Sequence, residues 1–363
     1  KEYRPNAACD KNSAPGFSFT TDSILTLTFD KELDAAFVGV GTQNYNPVGM
    51  RRSGDTLFIA NRAEGSDGVW VVRASTGELL YSLTGWTYNG KNEKFDNQVM
   101  DVAVSSDYIF VVNRSSRIDL FRRNDYSYVT TIGRTGWQSS SLLQCEAAEV
   151  AGDKLFIRDK QKIKVVQISD CTPENRFKVP VFAQNTDSTS SNNGFNLESV
   201  ARHEGLIYVS DYETSRILVI DPATVAVKGE PVRFLRSYRM PNKPLSMGFF
   251  QNEMYVVCAN NRIVRVDLRT GKELGSYSSF AGGVGLGTPG RLFFHNDTHR
   301  ANINNNRYKN FKFMLDCFLT TDDTESFLLL NRHPDIEECT NLHNLQRIVI
   351  IHFFSPARIF QQT

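Results

Sequence analysis

Four carboxylates, Asp101, Glu146, Glu149 and Glu198, sit in short segments otherwise made of small and apolar residues. These are Val99-Met-Asp-Val-Ala-Val, Cys145-Glu-Ala-Ala-Glu-Val and Leu197-Glu-Ser-Val-Ala. Hard oxygen donors gathered at one point suit calcium, which accepts carboxylate and amide oxygens in a flexible shell. No complete Asp/Asn calcium loop accompanies them, and carboxylates lining a water-filled channel need no metal. A second set is aromatic and basic. Trp86, Tyr88, Trp137, Arg236 and Tyr238 fall in or beside long polar connections, and they are the ligand-binding candidates. Rings with a polar handle make stacking platforms for sugars or peptides, and they pack neighbouring sheets equally well.

Other familiar chemistries lack their residues. Five of six histidines follow residue 290, and His295 and His299 stand four apart, a chelating spacing only on a helix. The surrounding Asn302, Asn304, Asn305 and Asn306 favour a loop, and no Glu follows His295. The run Gly282-Gly-Val-Gly-Leu-Gly287 is followed by Thr288-Pro-Gly, which blocks the helix a phosphate cradle requires. There is no Gly-x-Ser-x-Gly elbow and no P-loop. Six cysteines form no Cys-x-x-Cys pair; Cys258 reads as a buried thiol, and Cys317 and Cys339 could bridge in an oxidising compartment.

The elements that must position these residues recur six times: an apolar strand, a polar break, a second apolar strand. The first strands begin at Leu57, Ile109, Leu155, Ile207, Met254 and Phe327, spaced 52, 46, 52, 47 and 73 residues. Their partners begin at Val69, Ile118, Ile163, Ile217, Ile263 and Ile348. A hairpin repeat of this length buries both faces only by stacking in a ring. The expected fold is all-β, a six-bladed β-propeller with a seventh blade as the alternative. Residues around Phe17–Phe29 would close the ring as the outer strand of the last blade. Residues 1–15 read as a polar tether, and 16–363 as one propeller domain with an irregular insertion around 286–325.

The breaks are patterned. Strand ends carry Asn61, Asn113, Asp159, Asp211, Asn260 and Asn331, where an Asx side chain accepts a backbone N–H two residues on. Arg117, Lys162, Arg216, Arg262 and Arg347 introduce the next strand, so position-matched bases would ring one face. On that same face the connections between blades are long, whereas turns on the opposite face, such as Thr76-Gly77 and Thr270-Gly271, are tight. Binding is expected where length and irregularity concentrate.

The runs Val102-Ala-Val…Tyr108-Ile-Phe-Val-Val-Asn…Arg117-Ile-Asp-Leu-Phe and Glu198-Ser-Val-Ala…Leu206-Ile-Tyr-Val-Ser-Asp…Arg216-Ile-Leu-Val-Ile-Asp resemble NHL and YncE-type six-bladed propellers over roughly residues 45–280. That superfamily includes non-catalytic protein, carbohydrate and peptide binders, metal-dependent lactonases, and related-looking phytases. The resemblance implies, for a lactonase-like member, a metal held by Glu198, Asn113 and Asp211, with Glu198 as the catalytic carboxylate.

Forty-one Lys and Arg against forty Asp and Glu leave a net charge of +1, which gives little support to nucleic-acid binding. No stretch reaches the roughly 20 apolar residues of a membrane span. Two sequons, at Asn113 and Asn296, and the polar start favour export. The reading is an exported, monomeric, non-catalytic propeller that binds a protein or glycan on its long-loop face. The alternative is a calcium-dependent hydrolase working at the propeller axis, so whether the chain is an enzyme is left open.

Overall fold

The computed structural model describes side chains for residues 46–62, 67–74, 76–95, 99–114, 116–134, 141–185, 196–250 and 252–278. It describes the backbone alone for 26–33, 288–294, 324–332 and 346–354. The first strand, β1, is Thr26–Leu33. Five four-stranded antiparallel blades follow in sequence. Blade 1 comprises β2 (Pro47–Ser53), β3 (Thr56–Asn61), β4 (Gly68–Arg73) and β5 (Leu79–Leu83). A small hairpin, β6 (Gly85–Tyr88) and β7 (Lys91–Lys94), leads to blade 2: β8 (Val99–Val104), β9 (Tyr108–Asn113), β10 (Arg117–Arg122) and β11 (Tyr128–Ile132). Blade 3 is β12 (Cys145–Ala151), β13 (Lys154–Asp159), β14 (Lys162–Gln167) and β15 (Val181–Gln184). Blade 4 is β16 (Leu197–His203), β17 (Leu206–Asp211), β18 (Arg216–Ile220) and β19 (Arg236–Arg239). Blade 5 is β20 (Pro244–Phe250), β21 (Glu253–Cys258), β22 (Arg262–Asp267) and β23 (Glu273–Tyr277).

The middle two strands of each blade are apolar along nearly their whole length because both of their faces are covered. Thr56–Asn61 and Gly68–Arg73 are buried at all but their first and last residue respectively. Each apolar cluster straddles two consecutive blades. One joins Phe58 and Val69 to Val102 and Phe121; the next joins Phe110 and Leu120 to Ala148 and Ile157. Two more link blade 3 to blade 4 and blade 4 to blade 5. Sheets stacked face to face around a common direction make this a β-propeller. Among the described residues no helix is long and apolar enough to cross a membrane.

The sequence leads to six blades, with a seventh as the alternative; among the described residues the structure shows five complete blades, and closure of the ring is not shown. A further four-stranded sheet, described in backbone alone, has the order β1, β26 (Gln346–Phe354), β25 (Thr324–Arg332), β24 (Thr288–Phe294). Its N-terminal member lies at Thr26–Leu33, somewhat later than the Phe17–Phe29 expected, and pairs antiparallel with β26. The polar tether 1–15 and most of the insertion 286–325 lie outside the described residues.

One irregularity recurs in every inner strand. The register with the second strand slips just inside the entry, leaving Val48, Met100, Glu146, Leu245 and Gly290 as extra residues, with Glu198 and Ser199 in the corresponding stretch of β16. Bulges twist a strand and re-aim its side chains. Here they sit where blades enter the crowded axis. Gly49, just past the first bulge, shows how close the approach is: a Cβ there would lie 2.9 Å from the Asp101 Cα of the next blade.

Outer edges are strapped by the following blade. Phe177 N–H donates to Thr131 O and Gly133 N–H to Lys178 O, laying blade 3's connection along β11. Gly229 and Val232 donate to Phe182 O and Gln184 O in the same manner on β15. Covered edges cannot pair with another chain.

Candidate functional site: the channel axis and its two mouths

The strand ends define two faces. The upper face carries the turns between the second and third strands and the long connections between blades. The lower face carries the turns between the first and second strands and those between the third and fourth. The inner strands run between them around the axis.

Arg51, on β2, crosses that axis. Its Nε lies 3.1 Å from Glu149 Oε2 and its Nη2 3.2 Å from Asp101 Oδ2. The same guanidinium donates to Met50 O, Ala148 O and Val200 O. One side chain therefore ties blade 1 to blades 2, 3 and 4. Burial raises the Glu149 carboxyl above its ordinary range, although Arg51 and Arg202 pull it down. Two of the four carboxylates are thus spent on an internal cation, and the axis is bridged by charge at this level.

Glu146 stands at the upper mouth as a bulge residue. Arg158 Nη1 approaches its Oε2 at 2.8 Å and Arg114 Nε its Oε1 at 3.3 Å, while Gln144 donates to Oε1. Burial alone would raise this carboxyl; Arg158, Gln144 and Arg114 outweigh burial and the net shift is downward. Glu198, its counterpart on β16, is half-buried and engaged with neighbouring groups.

The Asx residues latch loops from a distance, not two residues on. Asn61 Oδ1 accepts the Asn46 N–H, Asp159 Oδ1 those of Leu143 and Gln144, and Asp211 Oδ1 that of Asn196. Each acceptor holds the connection that enters its own blade, because the closing turn places the strand end beside it. Asp211 also accepts from the Thr214 hydroxyl. Asn113 donates to Asp119 Oδ2 at 2.9 Å. Asp119 is fully enclosed, and burial raises its carboxyl against the pull of Arg117, Thr131 and Asn113. Of the calcium trio, Asp211 accepts from Asn196 and Thr214, Glu198 stands on β16 engaged with neighbouring groups, and Asn113 gives its amide N–H to Asp119 while its buried Oδ1 is left without a partner. Among the described residues no three His, Cys, Asp or Glu side chains form a group able to hold a metal ion. The trio thus offers one buried oxygen without a partner, Asn113 Oδ1, which is too few for the roughly six to eight oxygens of a calcium shell.

The aromatic candidates part company. Trp86, on β6, stacks on Tyr128 at 5.2 Å and 12° and meets Phe121 edge-on at 5.5 Å, so it wedges the hairpin against blade 2. Tyr88 is half-exposed, with the Arg176 guanidinium 3.8 Å over its ring. Tyr238 is buried, its hydroxyl donating to Leu268 O at 2.7 Å, and the exposed Arg236 lies over its ring at 5.4 Å. Trp137, Cys317, Cys339, His295, His299, His333 and His343 lie outside the described residues, and His352 falls in β26, described in backbone alone. Cys145, Cys171 and Cys258 are buried free thiols; burial pushes the last two up to about 12, which removes them as nucleophiles at neutral pH.

Charge divides between the mouths. The upper turns carry Arg62, Arg114, Lys160, Lys162, Arg216 and Arg262, while their acids Asp67, Asp159 and Asp211 are buried. The exposed exception is Glu213, 3.8 Å from Lys243. The lower turns between first and second strands carry exposed Asp55, Asp107, Asp153 and Glu204, with Lys154 paired to Asp153 at 3.1 Å, and the turns between third and fourth strands add Arg73, Arg122, Arg123, Arg269 and Lys272 to the same face. A cleft of about 420 Å³ on the lower face is lined by Ser106, Asp107, Arg122, Arg123 and Asn124.

No family model matches the chain, and no curated protein matches it in sequence. Solved structures do. U3-55K aligns over 85% of this chain and 78% of its own at 11% identity and a TM-score of 0.51. The WD40 domain of Toxoplasma gondii coronin aligns over 53% of this chain and 47% of its own, at 13% identity and a TM-score of 0.39. The nidogen/laminin complex aligns over 66% and 82%, at 12% identity and a TM-score of 0.44. At such identities the likeness concerns the fold alone, and the class it defines with the blades above is the β-propeller.

Proposed function

We propose that this chain is a non-catalytic binding propeller whose upper face captures a protein or glycan ligand. The observation that carries this reading is the mouth itself. The bulge residue Glu146 stands at its entry between Arg158 and Arg114, and the long connections on this face include the β6–β7 hairpin with its half-exposed Tyr88. Asp101, Glu149 and Asp211 are meanwhile held by ion pairs and backbone groups, which disfavours a hydrolase at the axis. The backbone sheet β1-β26-β25-β24 supports a sixth blade of the NHL/YncE kind, with β1 as the closing strand, since an N-terminal strand paired to the last strand staples both ends of a ring.

Export is part of the proposal and now has fewer supports. Asn113 is completely buried and bound to Asp119, so a glycan there is incompatible with this fold. Asn296 and the polar start remain as its sequence grounds. A glycan array and a displayed peptide library, probed with the whole chain, test the binding reading. Tyr88→Ala should weaken the selected ligand about tenfold or more, as truncated interface anchors do, at unchanged melting temperature. Capture that ignores both Tyr88 and the upper turns would overturn it.

A further inference from the structure

The proposal above leaves the ligand's chemistry open, and the distribution of charge narrows it. We propose that the upper mouth takes an acidic polypeptide segment, its carboxylates paired to the basic residues of successive turns. This rests on the upper face being the binding face.

Three observations carry it. First, the bases are position-matched: Lys162, Arg216 and Arg262 each open the third strand of their blade, so they recur around the axis at blade intervals. Arg62, Arg114 and Lys160 follow the second strands, nearer the bulges. Second, the mouth already holds one carboxylate by this means. Glu146 sits between Arg158 and Arg114, a chain-borne example of what the ring does with an incoming acid. Third, the lower acids do not cancel the upper field. A six-residue strand such as Tyr108–Asn113 separates the faces by about 20 Å, against a screening length of about 8 Å at physiological salt.

A nucleic acid fits these observations less well. Single strands need aromatic faces to stack on, and Trp86 is packed against Tyr128 and Phe121. A net charge of +1 also gives a long polyanion little to follow beyond the mouth. Arginine's fork suits isolated carboxylates.

The test uses the whole chain and a fluorescein-labelled poly-glutamate peptide, with oligo-thymidylate and an uncharged Gly-Ser peptide as further arms, read by anisotropy. Lys162→Glu, Arg216→Glu and Arg262→Glu combined should weaken peptide capture on the order of 1000-fold at low salt, roughly tenfold per reversed base. The milder Gln substitutions should fall between, which guards against a folding defect in the reversal variant. The neutral changes Asp55→Asn with Asp107→Asn and Glu204→Gln should leave capture unchanged. Wild-type capture by the upper variant, absence of poly-glutamate capture at low salt, or tighter oligo-thymidylate binding would each overturn the acidic partner. Binding of the uncharged peptide lost with Tyr88→Ala keeps the upper-face reading while sinking its charge chemistry. Binding lost only with the lower variants sinks both.

Discussion

The two mouths of the channel are built by the same kind of unit, a turn between antiparallel strands repeated blade after blade, yet the upper turns between second and third strands expose bases where the lower turns between first and second strands expose acids. The lower turns are nearly all two residues long. Gly54, Gly152, Glu204 and Gly205 have positive φ, and short polar residues such as Asp55 and Asp153 are what such turns tolerate. Their acidity is a by-product of turn chemistry. The upper bases have no such necessity. Lys162 and Arg216 stand across from Asp159 and Asp211, where opposite charges attract, but Arg262 stands across from Cys258 and Arg117 across from Asn113. Arg117 turns instead to Asp119 at 3.2 Å and Arg262 to the Ser276 hydroxyl at 3.2 Å, so each of these bases has a structural use beside any role in binding. Between the mouths, Arg51 with Asp101 and Glu149 ties the inner strands of blades 1, 2 and 3 together by charge.

Removing that tie should have the largest effect. Arg51→Met strands Asp101 and Glu149 without their cation and should cost about 3–5 kcal/mol in urea unfolding. A loss below ~1 kcal/mol would show that water, not Arg51, compensates the axial acids. Trp86→Ala comes next, at about 3 kcal/mol, because the ring fills the wall between β6 and blade 2. Unchanged stability would return Trp86 to the free rim.

Glu149→Gln sharpens the comparison by pH. Burial raises the folded carboxyl above its unfolded value. Its favourable contribution is therefore complete below the ordinary glutamate range and is lost as pH rises through the folded value. The Gln variant should gain on wild type across that rise, seen as a flatter profile of midpoint against pH. A parallel profile would mean that Arg51 and Arg202 fully offset burial. The smallest effect belongs to the lower turns. Asp107→Asn should change stability by less than about 0.5 kcal/mol, as exposed substitutions generally do.

Much of the fold was legible because the middle strands are covered on both faces. Leu57–Ala60 and Val69–Val72 read as uninterrupted apolar runs, and the period follows from them. The bulges were not legible, since one extra Val48, Met100 or Glu146 leaves no mark in segments that are already short and mixed. Arg51 was missed for a related reason. In Met50-Arg-Arg-Ser it looks like solvated charge, and its partners lie 50 and 98 residues away. A signal existed: Arg51 and Glu149 both stand three residues past their bulges, with opposite charge. The upper bases were visible as matched positions, but their meaning depended on finding Asp159 and Asp211 buried and the lower acids exposed. Trp86 announced an aromatic rim, and only its stack on Tyr128 revealed a wall.

Amide hydrogen exchange on the intact chain, with and without poly-glutamate at low salt, addresses the asymmetry of the two mouths most directly. The account predicts slowed exchange in the upper turns around Arg114, Lys162, Arg216 and Arg262, with the lower turns around Asp55, Asp107, Asp153 and Glu204 unchanged. Protection at the lower turns, or equal protection at both, would contradict it.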